Sequence, residues 1–128
     1  MLAVSQFLGF NVMLLYGGTT DPKFPTIPGA MYGAGANSSN QLGLQGSNVA
    51  TWTQAGTDVD WINARCGLDF SVALKSNGLI YATGHNNRGQ CGQGNTSNVG
   101  TFTLVTLPNP VVYFDVGDDF VVVIDSLQ

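Results

Sequence analysis

The most chemically suggestive stretch of this sequence is HNNRGQCGQGN, which runs from His85 to Asn95. It contains the chain's one histidine, the basic Arg88 and three glycines, which are residue types that could bind a phosphate or supply a general base. A phosphate-binding P-loop also needs Lys and then Ser or Thr after its glycines, followed by a helix. Asn95 and Thr96 follow Gly94 instead, so phosphate binding is not expected here. His85 also lacks a partner that would complete a catalytic triad or a metal site.

The acidic residues and the cysteines do not form a recognisable site either. All eight acidic residues are aspartates, and none stands in an EF-hand or D-x-D-x-D spacing that would collect calcium ligands. Cys66 and Cys91 have no CxxC or Cys/His spacing. Both are predicted to be buried, small apolar residues, and a disulfide between them is left open. We therefore predict no catalytic residue, no metal, no cofactor and no enzymatic activity.

The composition excludes several classes of partner. Charged residues make up only 9% of the chain, which has four Lys and Arg residues and a net charge of −4. Four scattered cations cannot form a basic face, so neither nucleic acid nor an anionic membrane surface is expected as a partner. The apolar stretch over residues 1–18 has no cation before it and is interrupted by Ser5, Gln6 and Asn11. Strands are predicted there, rather than a membrane span or a signal peptide.

The elements that position these residues follow from an internal repeat. YGAGANSSNQLGLQG, which begins at Tyr32, aligns with YATGHNNRGQCGQGN, which begins at Tyr81, with an offset of 49 residues. CGLDFSVAL, which begins at Cys66, aligns with VGDDFVVVI, which begins at Val116, with an offset of 50. A period of about fifty residues is typical of propellers, solenoids and repeat arrays.

Each period contains four short strand patterns and no helical periodicity. FSVALKSNGLIYATG, residues 70–84, contains two alternating runs around an Asn-Gly turn, which is the pattern of a β-hairpin. Four strands per period are typical of one blade of a β-propeller. The sequence therefore predicts an all-β fold of propeller-type blades with two full four-stranded repeats. The predicted units are a partial repeat with a Pro/Gly-rich loop over residues 1–28, a first repeat over 29–78 and a second over 79–128, which ends within a blade.

The order G-x-x-F-S-V-A-L, x-S-N-G, L-I-Y-A-T-G-x-N and G-Q-x-G-x-G-N resembles the repeat of the regulator-of-chromosome-condensation family. The resemblance covers roughly residues 29–128 and, more faintly, 1–16, which amounts to about two repeats and a partial one. It implies a β-propeller with one blade per repeat, whose full ring has several more blades than this chain. Phe70 and Phe120 stand where the family usually has His. No position matches a motif for the family's GTPase contacts.

The repeat also decides how the glycine-rich stretch is interpreted. Its glycines, Asn and Gln recur in the other copy, whereas its basic residue does not. The shared residues are therefore predicted to hold the loop, with glycines at positive φ and amide side chains bonded to loop backbone. These structural loop residues are Gly35, Asn37, Gln41, Gly43, Gly84, Asn86, Gln90 and Gly92. Because the tip differs between copies, His85, Asn87 and Arg88 form a candidate recognition tip.

Aromatic residues suggest a second type of recognition. Six of them could form a sugar-stacking surface, although packing between blades is the favoured interpretation. A glycan-binding propeller would use Trp52 or the recognition tip. The six residues are Trp52, Trp61, Tyr32, Tyr81, Tyr113 and Phe114.

The repeat begins and ends out of phase with the blades, which leaves the apolar strand FVVVID at an open edge. The edge could be covered by a neighbouring copy in a closed ring such as a trimer, by an unrelated partner, or by further blades of a longer propeller. In the ring, the N-terminal strands of one copy complete the blade of the next. The predicted assembly residues are Phe10, Val12, Leu14, Phe120, Val122 and Ile124.

These observations favour a non-enzymatic structural and interaction protein that acts through a propeller-like scaffold in a larger assembly. A low charge and a surface rich in Asn, Thr, Ser and Gly favour a virion component, such as a phage head or tail protein, or a cell-surface component over a cytoplasmic protein. Its partners would be protein, either copies of itself or a larger assembly. The alternatives are a regulatory binding module of the GTPase exchange-factor or chromatin type, as the family resemblance implies, and a glycan-binding propeller.

Overall fold

The part of the chain that the structure describes contains ten β-strands and no helix. The computed structural model describes the backbone of residues 2–7 and 11–16 and the whole of residues 27–127. No helix long and apolar enough to cross a membrane occurs within those residues. The strands are β1 (Leu2–Phe7), β2 (Asn11–Tyr16), β3 (Tyr32–Gly35), β4 (Val49–Gln54), β5 (Trp61–Cys66), β6 (Phe70–Lys75), β7 (Ile80–Gly84), β8 (Val99–Leu104), β9 (Val111–Val116) and β10 (Val121–Asp125).

The centre of the described structure is a four-stranded antiparallel sheet in the order β5-β6-β7-β8. Strands β6 and β7 form the predicted hairpin, in which Phe70 lies opposite Gly84 and Leu74 opposite Ile80. The turn between them requires glycine, because Gly78 has φ +83° and a Cβ there would lie 2.5 Å from Cβ of Pro110. The Asn-Gly pattern therefore fixes both the turn and the register of the two central strands.

Two hairpins flank this sheet. Strands β3 and β4 pair with each other, as do β9 and β10, and each pair is a separate two-stranded sheet. The offset of about fifty residues makes β3–β4 the counterpart of β7–β8, and β9–β10 the counterpart of β5–β6. Residues 27–127 thus contain one complete blade, the second half of the blade before it and the first half of the blade after it. This confirms the predicted all-β, blade-type fold.

Each predicted repeat does contain four strands, but those four are shared between two sheets. Residues 29–78 hold β3 to β6, and residues 79–128 hold β7 to β10. The sequence repeat is therefore displaced by two strands from the blade as a spatial unit. As a result, each repeat forms part of two adjacent blades.

The core lies between the central sheet and the β9–β10 hairpin. Its fully buried members include Phe70 and Val72 of β6 and Phe114 of β9. Backbone bonds join the neighbouring blades, since the amide of Val111 donates to the carbonyl of Gly78 and that of Leu68 to the carbonyl of Asp118. Each buried apolar side chain of this size contributes roughly 1.5–3 kcal/mol.

The N-terminal strands form a hairpin of their own. β1 pairs with β2, with Val4 opposite Leu14 and Gln6 opposite Val12. This agrees with the strands predicted for residues 1–18. Of the predicted assembly residues, Phe10 lies outside the described residues.

Candidate functional site

The loop after β3 is held together by one buried side chain. Asn37 is fully buried, and its Nδ2 donates to the carbonyls of Leu44, Gly46 and Ser47. Its Oδ1 accepts a bond from the amide of Leu42 at 3.0 Å. The side chain thus replaces the ladder partners that a non-strand segment lacks.

The loop after β7 repeats this arrangement. Asn86 is fully buried, its Nδ2 donates to the carbonyls of Asn95 and Ser97 at 2.9 Å, and its Oδ1 accepts from the amide of Cys91 at 2.8 Å. In both loops the backbone amide of this Asn donates to a second Asn side chain, that of Asn48 or Asn98. The glycine-rich stretch is therefore an internally bonded loop. The side-chain amide of Asn86 is used up in bonds to the loop backbone and is not available to a ligand.

The Gln and Gly residues of the two loops have matching roles. Gln41 accepts from the amide of Ser39, and Gln90 accepts from the amide of Arg88, each at 3.0 Å. All four predicted loop glycines have positive φ, from +64° to +110°. Gly43 is also needed for its small size, because a Cβ there would lie 2.3 Å from the ring of Phe102 in the next blade.

The predicted recognition tip projects from this rigid base. Asn87 and Arg88 are exposed, whereas His85 is half-buried and donates its amide to the carbonyl of Asp69. Arg88 Nε lies 3.3 Å from Asp119 Oδ2, so the guanidinium spans from one blade to the next. Trp52 lies on β4, well separated in sequence from the tip, and is 76% exposed.

The aromatic residues divide into a packed set and an exposed set. Trp61 packs edge-on against Tyr81, with ring centroids 5.2 Å apart, and against Phe102 at 5.4 Å. Phe114 is fully buried, in agreement with packing between blades. Tyr32, Tyr113 and Trp52 are instead exposed. Tyr32 lies opposite Gln54, two residues from Trp52, so these two exposed rings lie on the same face of the β3–β4 hairpin. The packed residues and the exposed ones therefore do not form one sugar-stacking platform.

Lys75, at the end of β6, is a buried cation that the sequence patterns did not single out. Its Nζ lies 2.7 Å from Asp58 Oδ2 and 3.1 Å from Asp60 Oδ1. The same Nζ lies 4.9 Å from the ring of Trp61 and 5.0 Å from that of Tyr81. Burial lowers the pKa of Lys75, but hydrogen bonds to the two aspartates outweigh it and raise the pKa above 10.5. In the sequence, the two aspartates stand in the Asp-x-Asp-Trp stretch of residues 58–61, where β5 begins. This stretch indicates a partner for Lys75 only once β5 pairs with β6 and brings Trp61 opposite Lys75.

The cysteines differ from each other. Cys91 is buried as predicted, and burial raises the pKa of its thiol to about 11, which makes it unreactive at neutral pH. The prediction that Cys66 is buried was wrong, because Cys66 is exposed at the end of β5 and accepts a hydrogen bond from Ser71 Oγ at 3.4 Å. Neither cysteine forms a disulfide.

All three cations within residues 27–127 are engaged in ion pairs. Besides Lys75 and Arg88, Arg65 of β5 lies 3.4 Å from Asp115 of β9. No group of three or more His, Cys, Asp or Glu side chains in the described part of the chain could hold a metal ion. The ion pairs of Arg65 and Arg88 therefore link neighbouring blades, and those of Lys75 link the end of β6 to the segment before β5.

A cleft of about 320 Å³ lies between the central blade and β10. Its walls are mostly apolar, and the ion pair of Arg88 and Asp119 stands at its edge. Sequence patterns did not reveal this cleft, because it lies between elements that are far apart in the chain. Its apolar lining includes Val72, Ile80, Val105, Leu107, Val121 and Val123.

Comparison with known proteins identifies the repeat. The model of the regulator of chromosome condensation (RCC1) repeat matches residues 77–124, and a second model with the same description matches residues 63–90. The protein RCC2 homolog of Xenopus laevis is 29% identical over 105 residues, which cover 78% of this chain and 20% of that protein. The crystal structure of human WBSCR16 superimposes with a TM-score of 0.59 and 23% identity, over 67% of this chain and 24% of that one.

The chain spans about a fifth of the first relative and about a quarter of the second. The superposition supports the fold, and the two model matches cover the complete blade together with the half-blade that follows it. The strands, the paired Asn loops and the blade contacts recur with the period that the sequence predicts. Residues 63–124 thus match the regulator of chromosome condensation repeat, and the described chain has the fold of part of a β-propeller built from such repeats.

Proposed function

We propose that the protein acts without catalysis as a regulatory, protein-binding module of the RCC1 type. The observation that carries this proposal is that the loop after β7 has a buried, hydrogen-bonded base and an exposed tip. Asn86 and Gln90 are bonded inside the loop, while Asn87 and Arg88 are exposed at its tip. A rigid base with a tip that differs between repeats is an arrangement suited to recognition of a protein surface.

The relatives favour this regulatory module over the virion component that the composition suggested. Neither the RCC2 homolog nor WBSCR16 is named as a virion protein. A fold does not transfer a function by itself, so the identity of the partner is not carried over from either relative.

The test is affinity capture with the purified chain from an extract of its source cells. The tip variant changes His85, Asn87 and Arg88 to Ala, and the matched control changes Ser38 and Ser39 to Ala in the equivalent loop. A partner retained by the wild type and the control but lost from the tip variant supports the proposal. Identical partners for all three proteins, each with an unchanged circular dichroism spectrum, would contradict it.

Glycan binding is a second candidate function, favoured by the exposed rings of Trp52 and Tyr32 on one face of the β3–β4 hairpin. Binding on a glycan array that is lost with Trp52→Ala, while the fold stays intact, would support it. An array without any bound glycan would count against it.

A further inference from the structure

The turn between β6 and β7 contains a reactive pair of residues that the recognition loops do not use. Asn77 and Gly78 are the one Asn-Gly pair of the sequence. In such a pair the backbone nitrogen of the glycine can attack the side-chain carbonyl carbon of the asparagine, because glycine has no Cβ to obstruct the approach. Asn77 is exposed, so its side chain is open to water. The pair therefore meets the first chemical requirements for deamidation.

The hydrogen bonds of the turn hold the two reacting groups side by side. Asn77 Oδ1 accepts from the amide of Leu79 at 3.0 Å, so the side chain folds back beside the peptide nitrogen of Gly78. The same bond polarises the Asn77 side-chain carbonyl, whose oxygen gains negative charge when Cγ is attacked. The amide of Gly78 donates to the carbonyl of Lys75 at 3.0 Å, and this bond must open before the nitrogen can react. Opening of one exposed turn costs much less free energy than global unfolding.

Other asparagines of the described residues lack this combination. Asn86 is fully buried, and its side-chain amide donates to loop carbonyls. Asn87 is exposed, but the nitrogen that would attack belongs to Arg88, which has a Cβ and a long side chain. Asn98 is also exposed, but the β-branched Val99 follows it. Exposure alone therefore does not make an asparagine of this chain reactive.

We infer that Asn77 is a site of spontaneous deamidation, and that its isoaspartyl product loosens the contact between the central blade and the next one. The nitrogen of Gly78 loses its proton and bonds to Cγ of Asn77, while the bond from Cγ to Nδ2 breaks and ammonia leaves with that proton. Water then opens the resulting succinimide at either of its two carbonyls. One opening leaves aspartate at residue 77. The other leaves isoaspartate, in which the backbone runs through Cβ and Cγ.

The isoaspartyl product is incompatible with the close packing of this turn. Its backbone has one more carbon atom between Cα of residue 77 and the nitrogen of Gly78. Gly78 is fixed by the next blade, because its carbonyl accepts from the amide of Val111 at 2.8 Å. A Cβ on Gly78 would lie 2.5 Å from Cβ of Pro110, so the turn has little room to move toward that blade. The longer backbone therefore displaces Gly78 from its bond to Val111.

The first test is ageing of the purified 128-residue chain in mildly alkaline buffer, followed by digestion and mass spectrometric mapping of the asparagines. We expect deamidation of Asn77 to be at least about tenfold faster than that of Asn87, the exposed asparagine followed by a larger residue. Labelling with a protein isoaspartyl methyltransferase is expected to mark residue 77. Equal rates at the two asparagines, an unmodified Asn77 or the absence of isoaspartate would each overturn the inference.

The effect on the blade contact is tested with two matched variants. Asn77→Asp carries the charge of the product without its longer backbone, and Asn77→Ser keeps a side-chain oxygen but cannot deamidate. We expect hydrogen exchange at the amide of Val111 to be as slow in both variants as in the fresh wild type, and faster in the purified isoaspartyl protein. Exchange at Val111 that is the same in the isoaspartyl protein and in Asn77→Asp would overturn the proposed loosening.

These outcomes are separable from those of the proposed function. The turn of residues 76–79 precedes β7, whereas the recognition tip follows that strand. Asn77→Ser is therefore expected to keep its captured partner, while the tip variant is expected to deamidate at Asn77 at the wild-type rate.

Discussion

Strands β6 and β10 are two copies of one sequence pattern in two environments. FSVALK and FVVVID share the same alternation and occupy equivalent places after a Gly-x-x turn. Phe70, Val72 and Leu74 of the first are at most 2% exposed, whereas Phe120, Val122 and Ile124 are 55–61% exposed. The amino-acid composition of the two strands does not explain this difference in exposure, because their side chains are comparably apolar.

The neighbours of the two strands explain the difference. β6 lies between β5 and β7, and the next blade covers its face through Phe114 and Val111. Among the residues that the structure describes, β10 has one strand beside it, and no equivalents of β7 and β8 lie in its sheet. Burial in a repeat protein thus depends on neighbouring repeats more than on local sequence.

The largest contrast is expected from removal of the equivalent phenylalanines. Phe70→Ala deletes a fully buried ring and should lower the free energy of unfolding by about 3–5 kcal/mol. Phe120→Ala removes a ring that is 61% exposed and should cost less than about 1 kcal/mol in the monomer. Urea denaturation at low protein concentration measures both. Equal losses would show that the two strands are in the same environment.

The loop after β7 offers a second contrast, between the buried Asn86 and the exposed Asn87. Asn86→Ala leaves the amide of Cys91 and the carbonyls of Asn95 and Ser97 without their side-chain partner, at a cost of about 3 kcal/mol. Asn87→Ala, one residue further on, changes an exposed side chain and should cost less than about 0.5 kcal/mol. Thermal unfolding monitored by circular dichroism measures the pair. A stable Asn86→Ala protein would contradict the structural role assigned to this loop.

The ends of the two strands differ in charge. Lys75 ends β6 between two aspartates, whereas the equivalent Asp125 of β10 accepts a hydrogen bond from Asn109. Lys75→Met should lower the free energy of unfolding by about 2 kcal/mol, because the aspartates it leaves are half-exposed and can be hydrated.

This effect has a defined pH dependence. The pKa of Lys75 is raised in the folded state, so its contribution is fully present below the ordinary value of 10.5 and is lost as the pH rises through the folded-state pKa. The cost of Lys75→Met should therefore be constant between about pH 6 and 9 and shrink only in strong alkali. Chemical denaturation of both proteins across this range measures it. A cost that falls already between pH 6 and 9 would contradict the assignment.

The smallest expected effect is the difference in reactivity between the thiols of Cys66, at the end of β5, and Cys91, in the loop after β7. Cys66 is exposed, and Cys91 is buried with a pKa of about 11. One equivalent of a thiol reagent should react with the native chain at pH 7.5, and Cys66→Ser should abolish that reaction with little change in stability. Fast reaction of both thiols would show that the loop around Cys91 opens.

The elements that could be predicted from the sequence are those marked by a turn motif or by the internal repeat. The Asn-Gly turn fixes the β6–β7 hairpin, and the period of about fifty residues assigns the loops with Asn37 and Asn86 to one structural role. The exposure of Cys66 could not be predicted, because strand alternation alone does not say which face of an edge strand meets the next blade. Lys75 was missed because its aspartates approach it only after β5 and β6 pair.

The most direct test of the central claim, that neighbours rather than sequence bury these strands, is backbone hydrogen exchange of residues 70–75 and 120–125 in one sample. We predict that β6 is protected to the level of global unfolding, while β10, which has one strand beside it, exchanges rapidly. Equal and strong protection of both segments in the dilute monomer would contradict the account, because β10 would then have its partner strand within the single chain.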